Sequence, residues 1–327
     1  MGEYYPVFLF LSERSLVLGD LKRLIMKAFG EKVRQLREER GISREAFCGD
    51  ETELSIRQLY RVETGQSIPT LNKVTYIAQI LGVSIGELTD GKTFELPTRY
   101  KELKYLLLRT PTYGDQERLQ KKSHYFDEIA EQYYEVIPEE ERLMMDCLQS
   151  KIDVHFSDDV NFGEGILHEY FDQVLKKQVF SLNDLIVIDL YLACLASAPV
   201  LEGIYSLDLY KTLMERLLDQ DIADPETALI LNNVLLNNVD LAFRFQKDTF
   251  VEAIMSKSSD IMTAIHDFQK RPILSLVEWK YQLHFKNDLA TAQESYTKAI
   301  SFASLIGDTH LEEQLVTEWQ KDTQNYP

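Results

Sequence analysis

Arg57 and Arg61 stand four residues apart in the stretch Ser55–Glu63, which puts both guanidiniums on one face of a helix. A guanidinium carries five N–H donors in a planar fork. That fork matches a phosphate, or the O6/N7 edge of guanine in a major groove. A second group is Asn232, Asn233, Asn237 and Asn238, four asparagines within seven residues. Asparagine is a poor helix former, so the cluster is unfavourable unless its amides bond something. Each amide both donates and accepts, which suits the backbone of an extended peptide. Positions 233 and 237 share a helix face and 232 falls on a neighbouring one; capping or solvation would equally occupy some of the four. Trp279 and Lys280, beside Tyr281 and with Phe245, form a candidate apolar and cationic wall, although aromatic residues at such spacing more often build core.

No other group has catalytic spacing. There is no phosphate-binding glycine loop, no HExxH and no GxSxG. His168-Glu169 has no ligand partner at helical spacing, and the other five histidines are scattered. Cys48, Cys147 and Cys194 lie far apart and make no CxxC pair, which fits isolated thiols in a reducing cytoplasm. The chain is expected to be no enzyme and to need no cofactor and no metal.

The arginine pair needs short helices and tight turns around it. Phe29, Val33 and Leu36 have helical spacing, and Gly41 ends that helix. Ser43 caps a second helix to Cys48, and Ser55 caps the third, which closes at Thr64-Gly65. Pro69 is expected to start a fourth helix with Leu71, Val74, Ile77, Ala78 and Leu81 on its apolar face. Gly82 stops it, and Ser84 caps one last turn to Leu88. One helix braces while the next enters the major groove, the arrangement of a helix-turn-helix.

The run Arg37-Glu38-Glu39-Arg40-Gly41-Ile42-Ser43, then Val62-Glu63-Thr64-Gly65, Pro69, Ala78 and Leu81-Gly82-Val83-Ser84, resembles the Cro/repressor-type helix-turn-helix. The usual small residue in the second helix is missing, and Phe47-Cys48-Gly49-Asp50-Glu51-Thr52-Glu53-Leu54 stands there instead. That stretch, with Ser43-Arg44-Glu45 before it and Ile56-Arg57-Gln58-Leu59 after it, resembles the Rgg-like (RNPP-type) peptide-sensing transcription regulators. The likeness is strongest to the streptococcal competence regulators. It continues through Pro111-Thr112-Tyr113, Pro138-Glu139-Glu140-Glu141 and Ser301-Phe302-Ala303-Ser304. The resemblance implies a cytoplasmic quorum-sensing receptor for a short hydrophobic pheromone peptide. It also implies that peptide binding releases the DNA-binding domain and promotes a homodimer that activates competence genes on a palindromic operator. DNA contacts then fall to Arg57 and Arg61, with Gln58 and Lys73 nearby. The rival is a helix-turn-helix regulator or antitoxin whose helical region binds a protein partner.

From Thr98 the chain alternates amphipathic stretches with short breaks. Helices are expected at about 98–109, 116–136, 139–155, 164–177, 182–197, 206–219, 225–245, 249–268, 272–285, 289–305 and 309–321. Ala292, Tyr296, Ala299 and Ala303 have the spacing of a tetratricopeptide unit, with small residues where two helices cross closely. The expected fold is all-α, a helix-turn-helix followed by a tetratricopeptide-like α-solenoid. The nearly continuous apolar run Leu185–Leu195 is too short and too charged, at Asp184 and Asp189, for a membrane helix and reads as central core. Domains are expected at 26–90 (DNA-binding), 91–115 (linker with a helix) and 116–327 (peptide-binding and dimerisation). Residues 1–25 read as an extension upstream of a start at Met26. They have no basic head and no cleavage site of a secretory signal.

Charge divides unevenly. Residues 27–90 hold nine Lys/Arg against ten Asp/Glu, and residues 91–327 account for 17 of the 18 net negative charges. A near-neutral DNA reader tied to a strongly acidic region suggests self-masking. Glu139, Glu140 and Glu141 are expected to hold Arg57 or Arg61 in the ligand-free state. A simpler role, favouring a helix N-terminus, fits at least one of them.

Overall fold

The computed structural model describes residues 26–90, 95–222, 224–324 and 326; the expected extension, residues 1–25, lies outside them. Every regular element among the described residues is helical. The chain divides into two compact units. Of the described residues, the first takes those up to 110, with 120–146 and 175–177, and the second takes 111–119, 147–174 and those from 178 on.

The first unit opens with α1 (26–39). There follow α2 (Arg44–Cys48), α3 (Ile56–Glu63), α4 (Leu71–Leu81), α5 (Ile85–Thr89) and α6 (Thr98–Arg109). The turns follow the expected chemistry. Ser43 accepts from Ala46 N, Ser55 from Gln58 N and Ser84 from Glu87 N, each satisfying a donor at a helix start. Gly82 closes α4 in the left-handed conformation. Pro69 does not start α4: Thr70 is the cap, accepting from Lys73 N, and the helix begins at Leu71. Phe29, Val33, Phe47, Leu54, Leu59, Val62, Val74, Ile77, Leu81 and Leu88 bury together as one core. At Gly30 a side chain would collide with the Val62 carbonyl, so α1 meets the end of α3 at backbone distance.

Three helices, α7 (Gln116–Gln132), α8 (Glu139–Ser157) and α9 (Asn161–Lys176), have residues in both units. The second unit is built on α10 (Leu182–Ser197), where almost every residue from Asp184 to Leu195 is buried. Asp189 lies within that apolar helix. It is balanced by Lys151 Nζ at 2.6 Å and Asn238 Nδ2 at 2.7 Å, as a charge out of water must be. The unit continues with α11 (Leu207–Asp219), α12 (Pro225–Asn237), α13 (Val239–Arg244), α14 (Asp248–Ile265) and α15 (Arg271–Tyr281). A π-helical turn (Gln282–Lys286), α16 (Leu289–Leu305) and α17 (Thr309–Gln324) complete it. Ala292, Ala299 and Ala303 are fully buried in one cluster with Trp279, Leu311 and Leu315, in the manner of a close helix crossing.

The largest departures from the expected helix ends are at three places. The helix expected over 116–136 stops at Gln132, and Tyr133–Ile137 turns on bonds to the Ile129 and Tyr133 carbonyls. The helix expected over 225–245 breaks at Asn238, whose side chain donates to the Val234 carbonyl and so takes the acceptor that helix continuation needs. The helix expected over 272–285 loosens into the π turn after Tyr281.

Candidate nucleic-acid interface

The Ser55 and Gln58 side chains and backbones bond reciprocally at the start of α3, the capping box that fixes how a helix leaves its turn. Leu59, Val62 and Glu63 face inward. The Glu63 carboxylate is completely buried. It takes Arg37 Nε at 2.5 Å and Nη2 at 3.2 Å from α1, and Arg44 Nε at 2.8 Å from α2. Three helices therefore meet on one carboxylate. Burial pushes the adjacent Cys48 thiol up to about 12, so that cysteine is an apolar filler rather than a nucleophile.

The opposite face of α3 presents Arg57, Tyr60 and Arg61. Arg57 and Tyr60 are exposed. Gln58 corrects the sequence expectation: it is 6% exposed and spends its side-chain oxygen on Ser55 N, so it braces α3 instead of reaching DNA. Arg61 Nη1 lies 2.7 Å from Glu139 Oε1, and Lys73 Nζ lies 3.1 Å from Glu140 Oε1. Glu139 N also donates to the Ile68 carbonyl at 3.2 Å. The first turn of α8 is thus pinned to the turn between α3 and α4. Its carboxylates occupy two of the four cations or polar groups assigned to DNA. These pairs are shielded: side-chain exposure is 20% for Arg61, 13% for Glu139 and 11% for Lys73. Glu141 departs from the expectation. It accepts from the Tyr100 hydroxyl at 2.7 Å and from Lys104 Nζ at 3.0 Å, and so belongs to α6. Burial, with the neighbouring Glu141 charge, raises the pKa of the Tyr100 phenol, which stays a donor.

The asparagine cluster divides in two. Asn232 is buried and accepts from the Ser258 hydroxyl at 2.6 Å, and Asn238 is spent on Asp189 and Val234. Both are internal struts, which corrects their assignment to peptide binding. Asn237 is exposed, and Asn233 is half-buried with a side-chain oxygen that is buried and has no hydrogen-bond partner. Trp279 is also corrected. It is fully buried, and its indole N–H donates to Asp322 at 2.9 Å. Lys280 joins it, at 3.0 Å from Glu318 and 2.8 Å from Asp322. Burial opposes its charge, but the two carboxylates outweigh that and raise its pKa. Trp279 and Lys280 clamp α17 to α15 instead of lining a binding wall.

A family model described as ComR tetratricopeptide matches residues 97–319, and a helix-turn-helix domain model matches residues 28–90. The chain belongs to the ComR family. The crystal structure of ComR from Streptococcus suis is 36% identical, covering 91% of this chain and 96% of its own, with a TM-score of 0.77. The apo competence regulator ComR from Streptococcus vestibularis is 32% identical, covering 91% and 99%, with a TM-score of 0.76. ComR from S. thermophilus in complex with DNA and its signalling peptide ComS is also 32% identical, covering 90% and 99%, but its TM-score is 0.65. No curated protein matches the chain. The ComR family supplies the all-α plan expected from the sequence, a helix-turn-helix followed by tetratricopeptide-like helices. These relatives are regulators, not enzymes.

Within this ComR-family chain the sequence reading missed the Glu63 node and the Asp189–Lys151–Asn238 cluster. A signal for the first existed. Glu63 follows Val62 and stands four residues after Leu59, so it falls on the apolar face of its own helix. Among the described residues no group of three His, Cys, Asp or Glu is placed to hold a metal ion, and no helix is long and apolar enough to cross a membrane.

Proposed function

We propose that this chain is a cytoplasmic quorum-sensing transcription activator. It keeps its DNA-reading helix masked until a short hydrophobic peptide binds, then dimerises on DNA and activates competence genes. The observation that carries the reading is the double pairing of Arg61 with Glu139 and Lys73 with Glu140. These are the cations a helix-turn-helix would spend on DNA, and here they are spent on the chain's own acidic helix. The greater likeness to apo ComR than to the DNA and peptide complex supports assigning this arrangement to the peptide-free state. ComR from S. thermophilus forms a complex with DNA and its signalling peptide ComS. Asn233 and Asn237 on α12 are the side chains we assign to the peptide, since a buried oxygen without a partner is stabilised by an arriving N–H.

The energetics are compatible. An exposed pair contributes about 0.2–1 kcal/mol, and partial burial strengthens the attraction in these two while adding a desolvation cost. Inverting a 1:99 equilibrium takes about 5.5 kcal/mol of differential affinity, which peptide binding and dimerisation on DNA supply together. The test is Glu139→Lys with Glu140→Lys, leaving Glu141 in place to hold α6. Duplexes are first selected from a random-sequence pool with this variant, and binding is then measured by fluorescence anisotropy without peptide. The double variant is expected to bind selected duplexes at least tenfold more tightly than the native chain. Equal affinity would place the inhibition elsewhere.

A further inference from the structure

Arg44 opens α2, on the same side of the helix-turn-helix as Tyr60 of α3. Its guanidinium carbon stands 5.2 Å from the centroid of the Tyr60 ring. Its Nε is fixed on the buried Glu63 at 2.8 Å. Fixing a guanidinium by Nε and by a ring face leaves its two terminal nitrogens pointing along a defined direction. Those nitrogens have no protein partner among the described residues, and the side chain is 31% exposed. Tyr60 is 46% exposed and its hydroxyl is likewise unspent. Along α3, residues 57, 60 and 61 fall within one face, so this pair borders the arginines assigned to base reading. Glu139 and Glu140 occupy Arg61 and Lys73 and do not occupy Arg44.

We propose that Arg44 and Tyr60 form a further DNA contact, in which a backbone phosphate takes the terminal nitrogens of Arg44 and Tyr60 holds the guanidinium flat. We place this contact outside the mask, so that the peptide-free chain retains weak, sequence-independent hold on any duplex. The inference rests on the DNA-binding part of the proposed function. Glu63 supplies the positioning: it restrains Arg44 while remaining bonded to Arg37, so loss of Arg44 leaves the buried carboxylate paired. A preset guanidinium loses little freedom on meeting a phosphate, which is the advantage of Arg over Lys at such a site. A search along DNA for an operator is aided by a contact that any sequence offers.

The experiment is a fluorescence anisotropy titration of the full chain, peptide-free, on a random-sequence 30-base-pair duplex across a salt series. The native chain is compared with Arg44→Gln, Arg44→Lys, Tyr60→Ala and Tyr60→Phe, each also placed in the Glu139→Lys/Glu140→Lys background. Arg44→Gln is expected to weaken binding roughly three- to tenfold and to flatten the dependence of log K on log salt by about one. Tyr60→Phe keeps the ring and is expected to match the native chain, while Tyr60→Ala moves toward Arg44→Gln. Arg44→Lys retains the salt slope at lower affinity. Thermal melting of each variant identifies any that misfold, and the two Tyr60 variants test the contact without touching Glu63. Unchanged affinity and slope in Arg44→Gln would overturn the proposal, as would a loss without a change in slope. Binding seen only in the unmasked background would overturn its second half, that the contact stays open. If no variant in either background binds any duplex at low salt, the proposed function itself fails.

Discussion

Glu63 collects two arginines from two other helices on a carboxylate that is itself fully buried. A buried carboxylate in that position is worth little as an attractive pair, because taking Glu63 and Arg37 out of water offsets most of the Coulomb gain. Its removal is a different matter. Glu63→Gln leaves two guanidiniums facing one neutral amide, and breaking a buried pair from one side costs about 3–5 kcal/mol. Urea denaturation of the full chain should show an early transition shifted by that amount, and a change below about 1 kcal/mol would show that the arginines find water. Asp308 offers a milder case with a pH signature. Its carboxylate is forked by Arg118 at 2.7 and 2.9 Å. That hydrogen bonding holds its pKa below the ordinary carboxylate value, against burial, which alone would raise it. A depressed acid stabilises the folded state above its unfolded pKa, and the contribution is lost as pH falls through the lowered value. Asp308→Asn keeps the cap on Leu311 N and loses the charge. The native chain should exceed it by about 1–3 kcal/mol near neutral pH, and the gap in melting temperature should close as pH falls below about 4. A gap that persists to pH 2 would assign the stabilisation to shape.

At the scale of elements, what was legible depended on how local the cause was. Caps at Ser43, Ser55 and Ser84 and the stop at Gly82 act within four residues, and each appears where the residue types put it. The core helix α10 was legible because an apolar run that length has no solvent face to offer. The break at Asn238 was not: its amide takes the Val234 carbonyl of its own helix, and the same amide is held by Asp189, which arrives on another helix. The asparagines themselves were visible, but whether an amide is a strut or an open ligand group depends on whether a Ser258 or an Asp189 arrives from elsewhere. Trp279 failed for the same reason, since Asp322 arrives from another helix; Gln58 did not, because the Ser55-to-Gln58 capping box that spends it is local and its spacing stands in the sequence. The α15–α16 crossing was legible in Ala292, Ala299 and Ala303, and it is testable. Ala299 is fully buried, so Ala299→Leu forces about three further heavy atoms between two packed helices. Overpacking of this kind costs about 1–3 kcal/mol. The melting temperature should fall, while Lys298→Leu at the exposed neighbouring position leaves it within error. Equal behaviour of the two variants would mean the crossing has slack.

For the whole molecule, the governing quantity is where charge resides. The helix-turn-helix region is nearly neutral and residues 91–327 carry 17 of the 18 net negative charges. Non-specific attraction to DNA is therefore weak, and every cation counts in the salt dependence. Each phosphate neutralised by Lys or Arg releases condensed counterions, and log K falls against log salt with a slope of about −0.9 per contact. Arg61 and Lys73 release none while Glu139 and Glu140 hold them, since those pairs are already neutral and shielded. Unmasking should consequently change the slope as well as the affinity. Glu139→Gln with Glu140→Gln frees both cations without adding positive charge, so a steeper slope cannot be blamed on new lysines. Titrating that variant and the native chain on the same duplex over a salt series should give a slope steeper by about one to two in the variant. The mask itself is expected to withstand the same salt, because pairs less than about a third exposed are screened far less than pairs in open water. Tighter binding with an unchanged slope would mean that the glutamates repel DNA from a distance and do not cover its contacts. The two outcomes separate a steric mask from a field, and the short Arg61–Glu139 and Lys73–Glu140 distances predict the first.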